Sequence, residues 1–165
     1  MPFEQNNRFE ESHSIDLFWD IDEEQILNAS ETAHYEIALD AFFNARHYVT
    51  MNGVRGAVHA HSYRVRVRCQ SYALDPDDHV VVGYAALRDR LAMIVKAYNN
   101  QCLNDLPPFR LKKLQTTTEN LTAVIFQQLE RSLEGLAVKL IEVAIWESPT
   151  NSITYSKSTR YVRRA

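Results

Sequence analysis

The chain has 165 residues, 45% of them hydrophobic, and a net charge of −3. That suits one domain with a core of its own and excludes a general nucleic-acid binder, which needs a basic footprint. Two cysteines, Cys69 and Cys102, exclude a disulfide framework, and the absence of a long apolar run or of a basic-then-apolar leader predicts a soluble, cytoplasmic protein that binds neither nucleic acid nor membrane.

Residues 1–32 read as an acidic N-terminal arm ahead of a domain spanning 33–165. The arm carries Glu10, Glu11, Asp16, Asp20, Asp22, Glu23 and Glu24, together with Ile15, Leu17, Phe18 and Trp19. It reads either as a partly ordered extension or as a docking segment whose aromatic residues pack on a neighbouring subunit. From Tyr35 to His47 the odd positions are Tyr35, Ile37, Leu39, Ala41, Phe43, Ala45 and His47. From His59 to Cys69 they are His59, His61, Tyr63, Val65, Val67 and Cys69, while the even positions include Ser62, Arg64, Arg66, Arg68 and Gln70. Residues two apart share a face of a strand, so each run predicts a strand with one core face and one polar face. The three histidines His47, His59 and His61 fall on the core faces, where the two strands meet. Two readings stand at this point. The imidazoles are hydrogen-bonded core residues, or they converge on a catalytic zinc with a fourth position open. A cupin-like site is excluded, because Ser62-Tyr63-Arg64-Val65-Arg66 contains no carboxylate. His13, His34 and His79 read as structural or solvated, and Cys69 as a small core residue.

Asp75-Pro76-Asp77-Asp78 marks a turn, and Val80-Val81-Val82 a short strand end. Leu87, Leu91, Ile94, Val95 and Tyr98 recur at helical spacing and predict a helix over 84–98. Leu106-Pro107-Pro108-Phe109 predicts a loop. A second helix begins near Thr116 or Thr117, with Thr116 and Glu119 at capping-box spacing, and runs through Leu121, Val124, Ile125 and Leu129 until Gly135 helps end it. Strands follow over 138–146 and 153–157, joined by a turn that contains Glu147. Strand, strand, helix, helix, strand, strand predicts an α+β fold: an antiparallel sheet with helices on one face.

Five segments together resemble the 6-pyruvoyltetrahydropterin synthase and 6-carboxytetrahydropterin synthase family. They are Phe43-Asn44-Ala45-Arg46-His47, His59-Ala60-His61-Ser62-Tyr63, Leu103-Asn104-Asp105-Leu106-Pro107-Pro108, Thr117-Thr118-Glu119-Asn120 and Trp146-Glu147-Ser148-Pro149-Thr150. The resemblance spans roughly Tyr35 to Tyr155. It implies a tunnelling fold, a ββααββ unit that oligomerises into a barrel, here as a homohexamer of two trimers with sites at subunit interfaces. It implies zinc held by His47, His59 and His61, a pterin held by Glu147, Thr117 and Thr118, and a lyase acting on a dihydropterin such as dihydroneopterin triphosphate. The pathway implied is queuosine or tetrahydrobiopterin biosynthesis.

The sequence departs from the family at the proton-transfer residues. The family's cysteine precedes the His-x-His pair, but Met51-Asn52-Gly53-Val54-Arg55-Gly56-Ala57-Val58 contains none, and Arg55 stands at one of its usual positions. The family's Asp-His pair is replaced by Asn99-Asn100. Neither an amide nor an arginine serves as a base at neutral pH. Arg55 reads equally as an anchor for a phosphate or carboxylate and as a solvated loop charge. The resemblance therefore leaves two functions open: a zinc-dependent lyase with a different base, or a non-catalytic pterin- and zinc-binding or assembly paralogue. A zinc hydratase of a non-pterin molecule would leave Glu147 idle.

Overall fold

The apolar–polar alternation along the first two predicted strands becomes one long antiparallel pair. The computed structural model describes residues 34–81 and 83–157; the acidic arm over 1–32, with its aromatic cluster and His13, lies outside the described residues, as do Val82 and 158–165. Strand β1 (Tyr35–His47) pairs with β4 (His59–Ser71) without interruption from Tyr35 opposite Ser71 to His47 opposite His59. Between them a small hairpin of β2 (Thr50–Met51) and β3 (Val54–Arg55) turns at Asn52-Gly53. Both turn residues have positive φ, 50° and 78°, which is the type I′ geometry that Asn-Gly favours.

The sheet is completed by β6 (Lys139–Ser148) beside β4, β7 (Asn151–Ser156) beside β6, and β5 (Gln101–Cys102), a short parallel strand on the outer edge of β1. Its order is β5-β1-β4-β6-β7. Helix α1 (Tyr84–Tyr98) packs on β1, and α3 (Thr118–Ser132) on β6 and β7. Ile37, Phe43, Val65, Val67, Cys69, Val143 and Ile145 from the sheet meet Leu87, Leu91, Leu121, Ile125 and Leu129 from the helices in one core. The odd positions of β1 and β4 thus form the inner face, as the alternation requires. The ββααββ skeleton is the expected one.

Four local details differ from the sequence reading. Of the expected strand end over Val80–Val82, Val82 lies outside the described residues, Val80 is in no strand, and Val81 makes an isolated bridge to Leu74. Leu106–Phe109 is not a plain loop, because Pro107 opens a single-turn helix α2 (Pro107–Arg110), a place where proline's fixed φ and missing N–H are tolerated. The cap of α3 is Thr117, whose hydroxyl accepts from the Asn120 backbone N–H; Thr116 donates instead to the Tyr48 carbonyl, so no Thr116–Glu119 capping box forms. Strand β6 runs on to Ser148, with a register shift between Trp146 and Ser148. Glu147 therefore lies within a strand at a bulge, not in the turn, on the same side as Val143 and Ile145.

The outer face of the sheet is charged. Asp40 receives Arg66 through both carboxylate oxygens and Arg64 through one, at 2.8–2.9 Å. Arg68 bridges Glu36 and Glu142, and Arg64 lies over the Trp146 ring at 4.8 Å. The hydrogen bonds from Arg66 and then Arg64 hold the Asp40 carboxyl down at about 2, against 3.8 ordinarily. A depressed acid stabilises the fold above its unfolded pKa and stops doing so as the pH falls through its folded one. The side chain is 30% exposed, so solvent screening reduces the effect to about 1 kcal/mol. Asp40→Asn should lower unfolding stability by that amount at pH 7, and the gap from wild type should close between pH 4 and pH 2 in urea titrations. An equal loss at both ends of that range would contradict the assignment.

Candidate functional site

The β1–β4 register sets His47 opposite His59 and Ala45 opposite His61, which places three imidazoles at one end of the inner face. Their ring centroids are 4.5 Å (His47–His59), 5.2 Å (His47–His61) and 4.9 Å (His59–His61) apart. Burial is graded. His47 is 2% exposed, His61 is half-buried, and His59, the first residue of β4, is exposed at the rim. The three histidines share the core faces, as expected, with burial falling off along β4 towards the end of the strand pair, where the cavity opens.

Backbone carbonyls fix the rings. His47 Nδ1 lies 2.7 Å from the Thr116 carbonyl and His59 Nδ1 lies 3.0 Å from that of Ala57. A carbonyl only accepts, so both Nδ1 atoms carry hydrogen, which leaves Nε2 of each ring as the atom that can serve as a ligand. Thr116 is itself held by Tyr48 and Asn104: its hydroxyl donates to the Tyr48 carbonyl, and the Asn104 amide bonds both Tyr48 and Thr116. Burial lowers the pKa of His47, partly offset by the bond to Thr116. Its buried Nε2 has no hydrogen-bond partner.

Glu147 closes the group from β6. Its Oε1 lies 3.2 Å from His61 Nε2, a contact that lacks hydrogen-bond geometry, since His61 Nε2 is also without a partner. Its other oxygen accepts from the Thr118 hydroxyl at the start of α3. One nitrogen from each histidine and one Glu147 oxygen all lie within 4.8 Å of one another. Two unpartnered imidazole nitrogens beside a carboxylate fit a divalent metal of zinc type by donor chemistry, and the carbonyl-fixed rings supply the outer-shell orientation such a centre needs. Beneath them the Tyr63 hydroxyl is buried without a partner, and burial, with the Glu147 charge second, raises its pKa.

A cavity of about 600 Å³ opens beside the imidazoles, walled by His47, His59, Thr117, Thr118, Glu119 and Glu147 and by the β6–β7 turn from Thr150 to Ile153. The histidines and the residues expected to hold a pterin are thus brought to one place. Arg55, Asn99 and Asn100 are not. Arg55 stacks over the Tyr48 ring at 3.9 Å on the outer hairpin. Asn99 and Asn100 serve the β1 edge: the Asn99 side chain accepts from the Asn44 backbone N–H, and the Asn100 backbone N–H donates to the Asn44 carbonyl. Sequence reasoning missed the carbonyls of Thr116 and Ala57, which have no side-chain signature, and the β6–β7 turn. Asn104 stood inside a segment already singled out, yet its part in holding Thr116 needed the third dimension.

An antiparallel sheet backed by helices, with three histidines and a glutamate at the mouth of a cavity, defines a tunnelling-fold protein with a candidate metal centre. The family model "6-pyruvoyl tetrahydropterin synthase" matches residues 36–158, and the chain belongs to that family. Among solved structures it is similar to 6-pyruvoyl tetrahydropterin synthase of Caenorhabditis elegans, at 22% identity and TM-score 0.65 over 76% of this chain and 97% of that one. It is also similar to the Plasmodium falciparum enzyme, at 20% identity and TM-score 0.59 over 76% and 98%. A third is a Plasmodium vivax enzyme altered at a catalytic glutamate, at 18% and 0.59 over 76% and 99%. At these identities the likeness is one of fold. No curated protein matches the chain by sequence.

Neither cysteine reaches the cavity wall. Cys69 is fully buried, and burial pushes its thiol up to about 12. In native protein at pH 8 a disulfide reagent should label Cys102, which is partly exposed, and leave Cys69 unmodified until denaturant is added. Rapid labelling of both thiols in the native state would contradict this packing.

Proposed function

We propose that this protein is a zinc-dependent pterin-binding member of the family, acting as a lyase on a dihydropterin such as dihydroneopterin triphosphate. The observation that carries the reading is the buried, unpartnered Nε2 of His47 facing the imidazoles of His59 and His61. Leaving such an atom unsatisfied costs about 1–3 kcal/mol, and a metal ion removes that cost. His47, His59 and His61 hold the zinc, which when bound is a Lewis acid that polarises side-chain oxygens of the substrate. Glu147 accepts from the ring N–H and 2-amino group of the pterin, a charge-assisted pair. Thr117 and Thr118, at the start of α3, supply hydroxyl and backbone donors to the ring's oxygen side. Among the described residues β5 and β7 are the outermost strands of the sheet, and open edges are an association hazard unless paired. Edge-to-edge pairing between copies would give a homo-oligomer, a hexamer of two trimers, built by the domain over 33–165. Among the described residues no helix is long and apolar enough to cross a membrane, in keeping with a cytoplasmic site of action.

A specific observation favours a second reading, pterin and zinc binding without turnover. Residues 51–58, where the resemblance places the family's proton-transfer cysteine, contain neither thiol nor carboxylate. Asn99 and Asn100 are engaged by the backbone of Asn44. Loss of a general base typically lowers a rate by about 10²–10⁴-fold. Incubating zinc-loaded protein with dihydroneopterin triphosphate, with product analysis and a binding measurement on one sample, separates the two. Product supports the lyase. Binding without product supports the second reading, and absence of both removes the pterin from the account.

Two further outcomes follow from the residue roles. Purified protein should contain about one zinc per chain, as expected of a single three-histidine centre, and a His59→Ala/His61→Ala variant should lose it; unchanged metal content in the variant would sink the assignment. Glu147→Ala removes a charged hydrogen-bond partner, a change of about 1.5–3 kcal/mol, so pterin affinity should fall at least about tenfold by isothermal titration. Equal affinities would take Glu147 out of the pterin site.

A further inference from the structure

We propose that the acidic arm is held by its own chain, with the segment over 15–27 seated in a basic, partly apolar groove between α2 and α3. The charge of the chain is divided unevenly. Residues 1–32 hold nine of the 21 aspartates and glutamates but one of the 18 lysines and arginines, so the arm carries −8 and the rest of the chain +5. Within the segment, Phe18 and Trp19 stand between Asp16 and Asp20, and Asp22-Glu23-Glu24 follows. The groove has the opposite character. It encloses about 590 Å³ between Pro108, Lys112 and Leu114 on one side and a stripe of α3 with Ala123, Val124 and Arg131 on the other. These α3 positions recur at helical spacing and lie apart from Leu121, Ile125 and Leu129, which fill the core. Leu111 and Leu114, on the connection that follows α2, are 69% and 39% exposed.

Charge selects this groove from the others. Among the described residues its lining holds no carboxylate, and Arg110, Lys112, Lys113 and Arg131, all exposed, form no ion pair there. Two other large concavities each carry two glutamates, Glu119 and Glu147 beside the histidines and Glu130 and Glu134 towards the end of α3. The arginines of the outer sheet face are already engaged by Asp40, Glu36 and Glu142. Single exposed ion pairs are weak. Burial of Phe18 and Trp19 against Leu114 and Val124 supplies the attraction, and the charges choose the site. Attachment to the same chain gives the segment an effective concentration on the order of millimolar, enough to fill a shallow seat. Asn120, which lines the groove, donates its backbone N–H to the Thr117 hydroxyl and its side-chain amide to the Gln115 carbonyl. An arm seated there therefore braces the connection that carries Thr116, Thr117 and Thr118.

The test uses the full chain carrying Trp146→Phe, which leaves Trp19 as the one tryptophan. Acrylamide, a neutral quencher, should quench Trp19 severalfold more strongly after Lys112→Glu/Arg131→Glu is added to this chain. A control reversal on α1, Arg88→Glu/Arg90→Glu, should leave the quenching unchanged. Circular dichroism and the urea midpoint establish that each variant is folded. Adding Asp16→Lys/Asp20→Lys to the groove variant should restore part of the protection. In the natural sequence a carbodiimide should join Lys112 or Lys113 to carboxylates of the arm, located by mass spectrometry in a product that runs as a single chain on a denaturing gel. Equal quenching of Trp19 with and without the groove reversal overturns the proposal, as does a control reversal that exposes Trp19 to the same extent. Arm carboxylates joined to other lysines, or to none, place the arm elsewhere and overturn it as well. The expected links found in a covalent dimer instead of a single chain put the arm on a second copy, which also overturns the seat in its own chain.

Discussion

The pairing of β1 with β4 decides where the chemistry of this chain can be. A strand has a period of two, so sliding β1 by one residue against β4 would turn its whole inner set to the other face. Register is held at the far end by the core, where Ile37 lies opposite Cys69 and Leu39 opposite Val67, both pairs packed under the helices. Burial of those apolar side chains fixes the relation of histidines six to ten residues of sequence away. His47 then faces His59, and His61 follows two residues later on the same side. The centre is an extension of the hydrophobic core, built from the same alternation and continued to the end of the hairpin, where polar donors replace apolar side chains.

What the pairing does not supply, the start of α3 does. The Thr116 carbonyl holds the His47 ring, Thr117 caps the helix, and Thr118 holds Glu147. Three consecutive threonines thus perform three separate tasks on three elements. The arrangement explains why Thr116 is buried and pinned by Tyr48 and Asn104 rather than serving as a cap. A cap needs a free side-chain oxygen near the next N–H groups, and Thr116 spends its hydroxyl on the connection that follows β1. The result couples helix position, imidazole orientation and carboxylate placement in one network, so that disturbance at any of the three should be felt at the other two.

The sheet, the two long helices and the convergence of three histidines were legible because each rests on periodicity, and periodicity survives in one dimension. Tyr84–Tyr98 came out at the expected bounds for that reason. The family resemblance added the order of the motifs, and strand geometry ranged the histidines on one face. Details that depend on a distant partner were not legible. The carbonyls of Thr116 and Ala57 orient rings through atoms that every residue possesses. Glu147 reads as a turn residue beside Ser148-Pro149, and only the extension of β6 to Ser148 puts it on the strand in step with Val143 and Ile145. Pro107-Pro108 signals a break in structure, yet the same fixed φ starts α2. Asn99 and Asn100 read as departures from the family pattern, and their service to the β1 edge is a tertiary fact.

The central claim is that the β1–β4 register converges three imidazoles on one metal ion. X-ray absorption at the zinc edge of the purified full chain tests it most directly, because the spectrum reports ligand type without a mutation that could disturb the fold. The account predicts a first shell of nitrogen and oxygen at about 2.0–2.1 Å with the outer scattering of three imidazole rings. A sulfur shell at about 2.3 Å, or a light-atom shell without imidazole scattering, would contradict it.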